Sequence, residues 1–400
     1  MQRIRVPQNR HGHSVELRLI KVLHVIGSLD TGGTESTLAN LALAMDKKRV
    51  ENIVVTLAGY DTPLSLRIAA SGVQVIKLGM LRPKWKFAFG VFKLVSIIRR
   101  LKPDVIQGWL HESELVATVS ARICGIPVFW NVRGSQMNWS DFKWHLPWVI
   151  KILARLSSIP EVVISNSSAG RLAHEEMGYH PRRWELIHNG FDADSFTPHP
   201  TTRADLKKLI GAVEGEVIVG HVARFHKVKD HAGMLRAVGI VSRRVDNARF
   251  VFVGKGVDMQ NPAIAEAVRA EGIANRVHFL GEISDIPRIT AGFDIAVNSS
   301  YTEGFPNAVG EAMSCAVPCV ATDVGECREI IGDAGIVVPA KDPEAMANAL
   351  ESLILARDEE RRRIGAIGRS RVEKYYSLEK SAEKYVSLYE EVALKHVSAR

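Results

Sequence analysis

The chain has 400 residues, 46% hydrophobic and 24% charged, a soluble globular composition too long for one ordinary core, so two domains are the starting expectation. No apolar run reaches the roughly 18 residues of a membrane span. The net charge of +8 is uneven: residues 1–200 hold 25 Lys and Arg against 16 Asp and Glu, and residues 201–400 hold 27 against 28. Four cysteines show no Cys-x-x-Cys pair and no His/Cys ligand spacing, which argues against a disulfide framework or a zinc site and leaves buried thiols.

Residues 1–19 are basic but lack the apolar core and cleavage site of a signal peptide, so they are expected to form a disordered tail on a cytoplasmic protein. Lys21 to Ile26 reads as a buried strand, Gly27 to Thr34 as a Gly-containing loop, and Glu35 to Met45 as a helix. Paired Gly32 and Gly33 let backbone N–H groups approach an anion, although a tight structural turn explains them equally well. Neither the glycine fingerprint of dehydrogenases nor a P-loop is present. Strands follow at Asn52 to Leu57, Val73 to Lys77, Val105 to Gln107, Val128 to Asn131 and Val162 to Ser165, with helical stretches between them, the rhythm of a parallel doubly wound sheet.

The basic excess peaks over residues 82–102, where Arg and Lys interleave with Trp85, Phe87, Phe89 and Phe92 and no acid intervenes. Such a stretch suits an anionic membrane surface, and a solvated helix packing its apolar side on the sheet is the competing reading. No nucleic-acid-binding motif accompanies the charge.

A Gly/Pro-punctuated linker from Asn189 to Pro200 separates the halves, and the pattern restarts. Strands are expected at Glu216 to Ala223, Arg249 to Val253, Val277 to Leu280, Asp294 to Asn298 and Pro318 to Thr322, with a helix at His231 to Val241. Arg224 and Lys229 follow the first of these strands, a place where a guanidinium fork and an ammonium suit a diphosphate. Glu303 sits in the loop after the fourth strand, and Glu311 lies about two turns on in the helix that Pro306 opens. Carboxylates spaced that way suit two jobs on a long polar ligand. Tyr375 to Ala393 completes the chain as a helix, with Tyr385, Leu388, Tyr389 and Val392 on one stripe.

Taken in order, these segments resemble glycosyltransferase family 4, the retaining nucleotide-sugar transferases of GT-B fold, and within it a branch associated with bacterial surface polysaccharides. The resemblance runs from about Lys21 to Val392. It rests on Gly32-Gly33-Thr34-Glu35, Pro103-Asp104-Val105-Ile106, Asn131-Val132-Arg133, Asn189-Gly190-Phe191-Asp192, Arg224 with Lys229-Asp230, and Glu303 through Pro318.

It implies an α/β architecture of two doubly wound Rossmann-like domains facing a cleft: an acceptor-binding domain over 20–195, a nucleotide-sugar-binding domain over 196–374, and a C-terminal helix over 375–400 crossing back to the first domain. Arg224 and Lys229 would hold the donor diphosphate, Glu311 the ribose hydroxyls, and Glu303 would face the transferred sugar. Gly33 and the backbone around Gly304, Phe305, Asn307 and Ala308 would complete the donor site, with Glu303, Arg224 and Lys229 as the catalytic set.

The segment Gln107 to Glu114 departs from the pattern of the branch. His111 falls one position before the histidine of relatives, and Glu112 takes its place. Both, with Arg133, are candidates for the acceptor or sugar side.

The expected reaction is transfer of a hexose or N-acetylhexosamine from a nucleotide diphosphate sugar to a hydroxyl, with a saccharide or lipid-linked acceptor at the inner membrane face. No metal or other cofactor is expected, since cations neutralise the diphosphate and no Asp-x-Asp metal pair appears in a suitable loop. A sugar-nucleotide epimerase or phosphorylase of the same fold would consume donor without an added acceptor. A noncatalytic membrane-associated protein would bind lipid and release no nucleotide.

Overall fold

The computed structural model describes residues 18–30, 32–80, 86–134 and 146–398. The expected tail therefore lies mostly outside the described residues, as does the start of the 82–102 stretch. Arg18 and Leu19 lead directly into the first strand, and Arg18 pairs with Asp104 at 3.0 Å.

Two wholly parallel sheets are formed among the described residues. The first contains β1 (Ile20–Ile26), β2 (Val50–Thr56), β3 (Gln74–Lys77), β4 (Val105–Trp109), β5 (Val128–Val132), β6 (Val162–Ser165) and β7 (Trp184–Leu186), in the order β3-β2-β1-β4-β5-β6-β7. The second contains β8 (Val217–Val222), β9 (Ala248–Val253), β10 (Val277–Gly281), β11 (Ile295–Asn298), β12 (Cys319–Thr322) and β13 (Gly335–Val338), in the order β10-β9-β8-β11-β12-β13. Helices cover both faces, which is why the central strands read as near-continuous apolar runs.

Strand order reverses between β1 and β4 in one sheet and between β8 and β11 in the other. In open α/β sheets ligands bind beyond the carboxyl ends of the strands at such a switch point. The segments that follow these four strands carry Gly33 and Glu112 in the first turns of helices and Arg224, Lys229 and Glu303 in loops and turns.

Two strands are not evident from the sequence. β7 is three residues long and half-exposed, and β13 is an edge strand of four, so neither offers a long apolar run. The carboxyl-terminal helix also differs from expectation. Tyr375 ends the helix Asp358–Tyr375, and a new helix runs from Leu378 to Ser398.

The break at Tyr376 and Ser377 is where the chain returns to the first domain. Phe191 N–H donates to Tyr376 O at 2.8 Å and Leu378 N–H to Phe191 O at 3.0 Å, clasping the linker to the returning chain. Gly190 is required there, because a Cβ would lie 2.5 Å from Leu378 Cα. Beyond the break, Tyr385, Leu388, Tyr389 and Val392 enter one core with Val22, Trp109 and Phe129. Arg49 grips Glu390 through two hydrogen bonds of 2.8 Å on the same helix.

Candidate active site

Glu303 follows β11 by five residues, and one of its oxygens gathers three donors. Lys229 Nζ reaches it as an ion pair, Ser300 Oγ donates at 2.7 Å and Asn298 Nδ2 at 3.4 Å. The lysine comes from the 3-10 turn Lys227–Lys229 after β8, so strands adjacent at the switch point meet in this pair. Its backbone is fixed from beneath: Ser299 Oγ donates to Lys229 O at 2.8 Å, and Ser299 Oγ lies 3.1 Å from His221 Nε2. Asp230, at φ 48°, then caps the helix His231–Ser242. An ammonium has three donors, so Lys229 can hold Glu303 and still offer N–H groups to an anion.

The helix Asn307–Ser314 begins at Pro306 with no side-chain cap, leaving its first amides available to an anion. Glu311 lies on this helix, and no described residue donates a hydrogen bond to its carboxylate. Burial lifts that carboxyl from its ordinary 4.5 to about 7, because nothing nearby offsets the lost water. Phe305 points the other way, buried and stacked on Phe191 and His188, so its side chain anchors the loop.

The first domain meets this helix at two points. Asn307 Nδ2 donates to Gly33 O at 3.4 Å, and a Cβ on Gly33 would stand 3.2 Å from that nitrogen. Asn189 Nδ2 donates to Asn307 Oδ1 at 2.7 Å. Behind Asn189 lies Arg133, which also donates to Asn131 Oδ1 at 2.6 Å and to the Tyr385 hydroxyl at 3.2 Å, with its guanidinium 5.0 Å above the Trp109 ring. Arg133 thus ties β5, the linker and the returning helix together. Arg224 is exposed, and its charge acts on Glu35 from across the cleft. Burial raises the Glu35 carboxyl, with Arg224 and Arg133 opposing that rise.

His111 turns inward. It opens the helix His111–Cys124 just after Leu110, whose φ of 68° and ψ of 157° lie where non-glycine residues are strained. Its ring is buried 3.6 Å from the Glu114 carboxylate and 5.6 Å, centroid to centroid, from His174. Glu112, the next residue, keeps part of its surface exposed. Among the described residues one group brings metal-ligand atoms within 4.8 Å of each other: His188, Glu326 and Glu329, at the seam between the domains.

Several of these residues carried no assigned role in the sequence reading. Ser300 and Asn298 hold Glu303, Asn189 bridges the domains, and Glu35 faces two arginines. Asn189 and Glu35 stand inside quoted motifs; Ser300 and Asn298 had no signal beyond closeness to Glu303.

Two parallel sheets, with Lys229, Arg224 and Glu303 gathered after neighbouring strands beside an uncapped helix start, form a site suited to group transfer from an anionic donor. Family models agree: residues 31–195 match "Glycosyltransferase Family 4" and residues 216–355 match "Glycosyl transferases group 1". The chain belongs to glycosyltransferase family 4 and is a glycosyltransferase of GT-B fold.

Its relatives include the putative glycosyltransferase EpsF of Bacillus subtilis, 26% identical over 312 residues, or 76% of this chain and 79% of that one. Another is the Escherichia coli UDP-Gal:alpha-D-GlcNAc-diphosphoundecaprenol alpha-1,3-galactosyltransferase, 23% identical over 65% of this chain and 68% of that one. Among solved structures, Anabaena Alr3699/HepE in complex with UDP and glucose superposes with a TM-score of 0.81 at 20% identity, covering 93% of this chain and all of that one. The two sequence relatives are thus bacterial glycosyltransferases.

Proposed function

We propose that this enzyme transfers a hexose or N-acetylhexosamine, with retention of anomeric configuration, from a nucleotide diphosphate sugar to a hydroxyl of a lipid-linked saccharide in surface polysaccharide synthesis. The observation that carries the reading is the pairing of Glu303 with Lys229 beside the uncapped start of the helix that bears Glu311. Glu311 takes the ribose hydroxyls, Arg224, Lys229 and the amides of Asn307 and Ala308 take the diphosphate, and Glu303 faces the sugar. Preorganised donors of this kind stabilise charge growing on a leaving group. The departing diphosphate oxygen takes the acceptor proton as the new glycosidic bond forms on the same face. Neutralisation falls to the protein's own cations, so transfer proceeds without a divalent ion.

An acceptor at a membrane surface is supported by one face of the first domain. On the helix Lys86–Leu101, Phe92, Lys93, Arg99 and Arg100 are exposed, and on the helix Leu146–Leu156, Trp148, Lys151, Ile152 and Arg155 are exposed. Both helices pack beside the helix His111–Cys124. Aromatic and basic side chains together suit anionic lipid. No described helix is long and apolar enough to cross a membrane.

The test is a panel of nucleotide sugars, beginning with UDP sugars, scored first by protection against thermal unfolding and then by transfer to undecaprenyl-linked saccharides. The expected result is one protecting donor, an α-linked product from an α-linked donor, and full activity in EDTA. An inverted product overturns retention, and EDTA-sensitive turnover overturns metal independence. Binding to anionic vesicles that salt does not weaken overturns the electrostatic docking.

A further inference from the structure

A separate set of contacts fastens the two domains together beside the sugar-facing loop. Glu326, 5% exposed, follows β12, and its carboxylate accepts a hydrogen bond from the backbone N–H of Ser168 in the first domain. Ser168 is the first residue of the helix Ser168–Glu176, whose own cap, Ser167 Oγ, serves Gly170 N–H at 2.9 Å. The Ala169 N–H also stabilises the Glu326 carboxylate. One domain therefore supplies the acceptor that completes the first turn of a helix in the other.

The backbone of Glu326 holds the catalytic loop. Its N–H donates to Gly304 O at 3.2 Å. Gly325, at φ +55°, lies so close that a Cβ would overlap the carbonyl oxygens of Glu303 and Gly304. On its far side Gly304 rests against the first domain, where a Cβ would stand 3.0 Å from Gly134 N and 3.5 Å from Asn166 Oδ1. Asn166 is 4% exposed, and that oxygen accepts no hydrogen bond from the described residues. The Glu303–Gly304 segment is thus clasped between the 324–326 loop and the ends of β5 and β6.

We infer that Glu326 is a positioning residue for sugar transfer: its carboxylate holds the first domain while its backbone holds Gly304, so that the Glu303–Gly304 backbone is braced from both sides only when the domains are closed. The inference rests on the proposed transfer reaction. Because hydrogen bonds weaken steeply past their normal length, a separation of roughly 1–2 Å breaks the cap and withdraws Gly134 and Asn166 from Gly304, leaving the loop braced on one side only. The nucleotide-facing residues Arg224, Lys229 and Glu311 all belong to the second domain, so affinity for the nucleoside diphosphate does not depend on this contact.

The experiment compares wild-type protein, Glu326→Ala, Glu326→Gln and Ser168→Pro. Proline suits the first helical position, and Ser167 before it is already extended, so Ser168→Pro removes the N–H while leaving Glu326 intact. Glu326→Ala is expected to lower kcat about 10- to 100-fold with UDP affinity within about 2-fold of wild type, since a misplacement near 1 Å has effects of that order. Glu326→Gln keeps an oxygen acceptor and should recover most of kcat. Ser168→Pro should lower kcat, and the double variant with Glu326→Ala should be no slower than Glu326→Ala alone.

Hydrogen exchange adds a readout that fold loss alone would not give. In Glu326→Ala the Ser168 and Ala169 amides should lose protection while the rest of that helix keeps it. Wild-type kcat in Glu326→Ala overturns the inference, as does a parallel loss of UDP binding and thermal stability that Glu326→Gln does not rescue. Additive losses in the double variant also overturn it. A wild-type protein that transfers no sugar from any donor overturns the proposed function instead.

Discussion

With Glu311 on the ribose as proposed, its burial should make nucleotide binding depend on pH. Its carboxyl ionises at about 7, whereas a ribose donating two hydroxyl hydrogen bonds favours the ionised form and returns it toward the ordinary 4.5. The competent carboxylate then makes up about nine-tenths of the free protein at pH 8 and about one-tenth at pH 6, so the Kd for UDP should rise roughly tenfold, or ~1.4 kcal/mol. His231, which burial pulls down to about 4, stays neutral over this range and does not contribute. Isothermal titration from pH 6 to 8.5, in two buffers of different ionisation enthalpy, reads both the affinity and the proton released. UDP has a titrating phosphate of its own, so Glu311→Gln is the control, expected to bind weakly at pH 8 and to lose the protein's share of the pH dependence. The folding linkage has its own sign. A raised carboxyl pKa contributes stability that is complete below 4.5 and lost as pH rises through 7. Ligand-free Glu311→Gln should therefore be more stable than wild type at pH 8 by about 2 kcal/mol, below the ~3.4 kcal/mol of the whole displacement because the side chain keeps some contact with water. An identical pH profile in wild type and Glu311→Gln would refute the reasoning.

Three further outcomes are expected. Glu303→Ala should nearly abolish transfer and Lys229→Ala should lower kcat by about 10²- to 10³-fold, both measured as nucleotide release in donor and acceptor at saturation, with melting temperatures close to wild type. Burial lowers His24, His174 and His231 from 6.5 to about 4, so each contributes stability that is complete above 6.5 and lost as pH falls toward 4. Urea midpoints should drop steeply across that window, by up to roughly 3 kcal/mol per histidine, and a flat profile would contradict the burial of these rings. Tyr385→Phe removes the hydroxyl that accepts from Asn131 Nδ2 at 2.7 Å and from Arg133 at 3.2 Å, which should cost about 1–3 kcal/mol by denaturant titration. A cost near zero there would mean that Arg133 finds another acceptor.

How much was legible in the sequence differs between the two sides of the cleft. On the donor side each residue follows the carboxyl end of a strand at one switch point: Arg224 and Lys229 after β8, Glu303 after β11, Glu311 in the helix that follows. Strand ends show in sequence because buried parallel strands are apolar runs, so position along the chain fixes position in the site. What could not be read there is pairing. Lys229 and Glu303 are 74 residues apart and were given separate tasks, yet adjacent strands bring them into one ion pair. On the acceptor side, position along the chain is not enough. His111 and Glu112 both begin a helix after β4, and which one turns inward depends on the backbone of Leu110, whose φ of 68° no pattern of residue types announces. The seam is further still from view, since Glu326 meets Ser168 across 158 residues and two domains, and only their relative placement brings a loop carboxylate onto a helix start. The proposed donor side belongs to one sheet edge and survives in local sequence. Acceptor geometry and domain closure depend on helix phase and on the fit of two bodies, so substitutions at Glu303, Lys229 or Glu311 should act through the donor, whereas changes near Leu110, Asn189 or Glu326 should act through alignment.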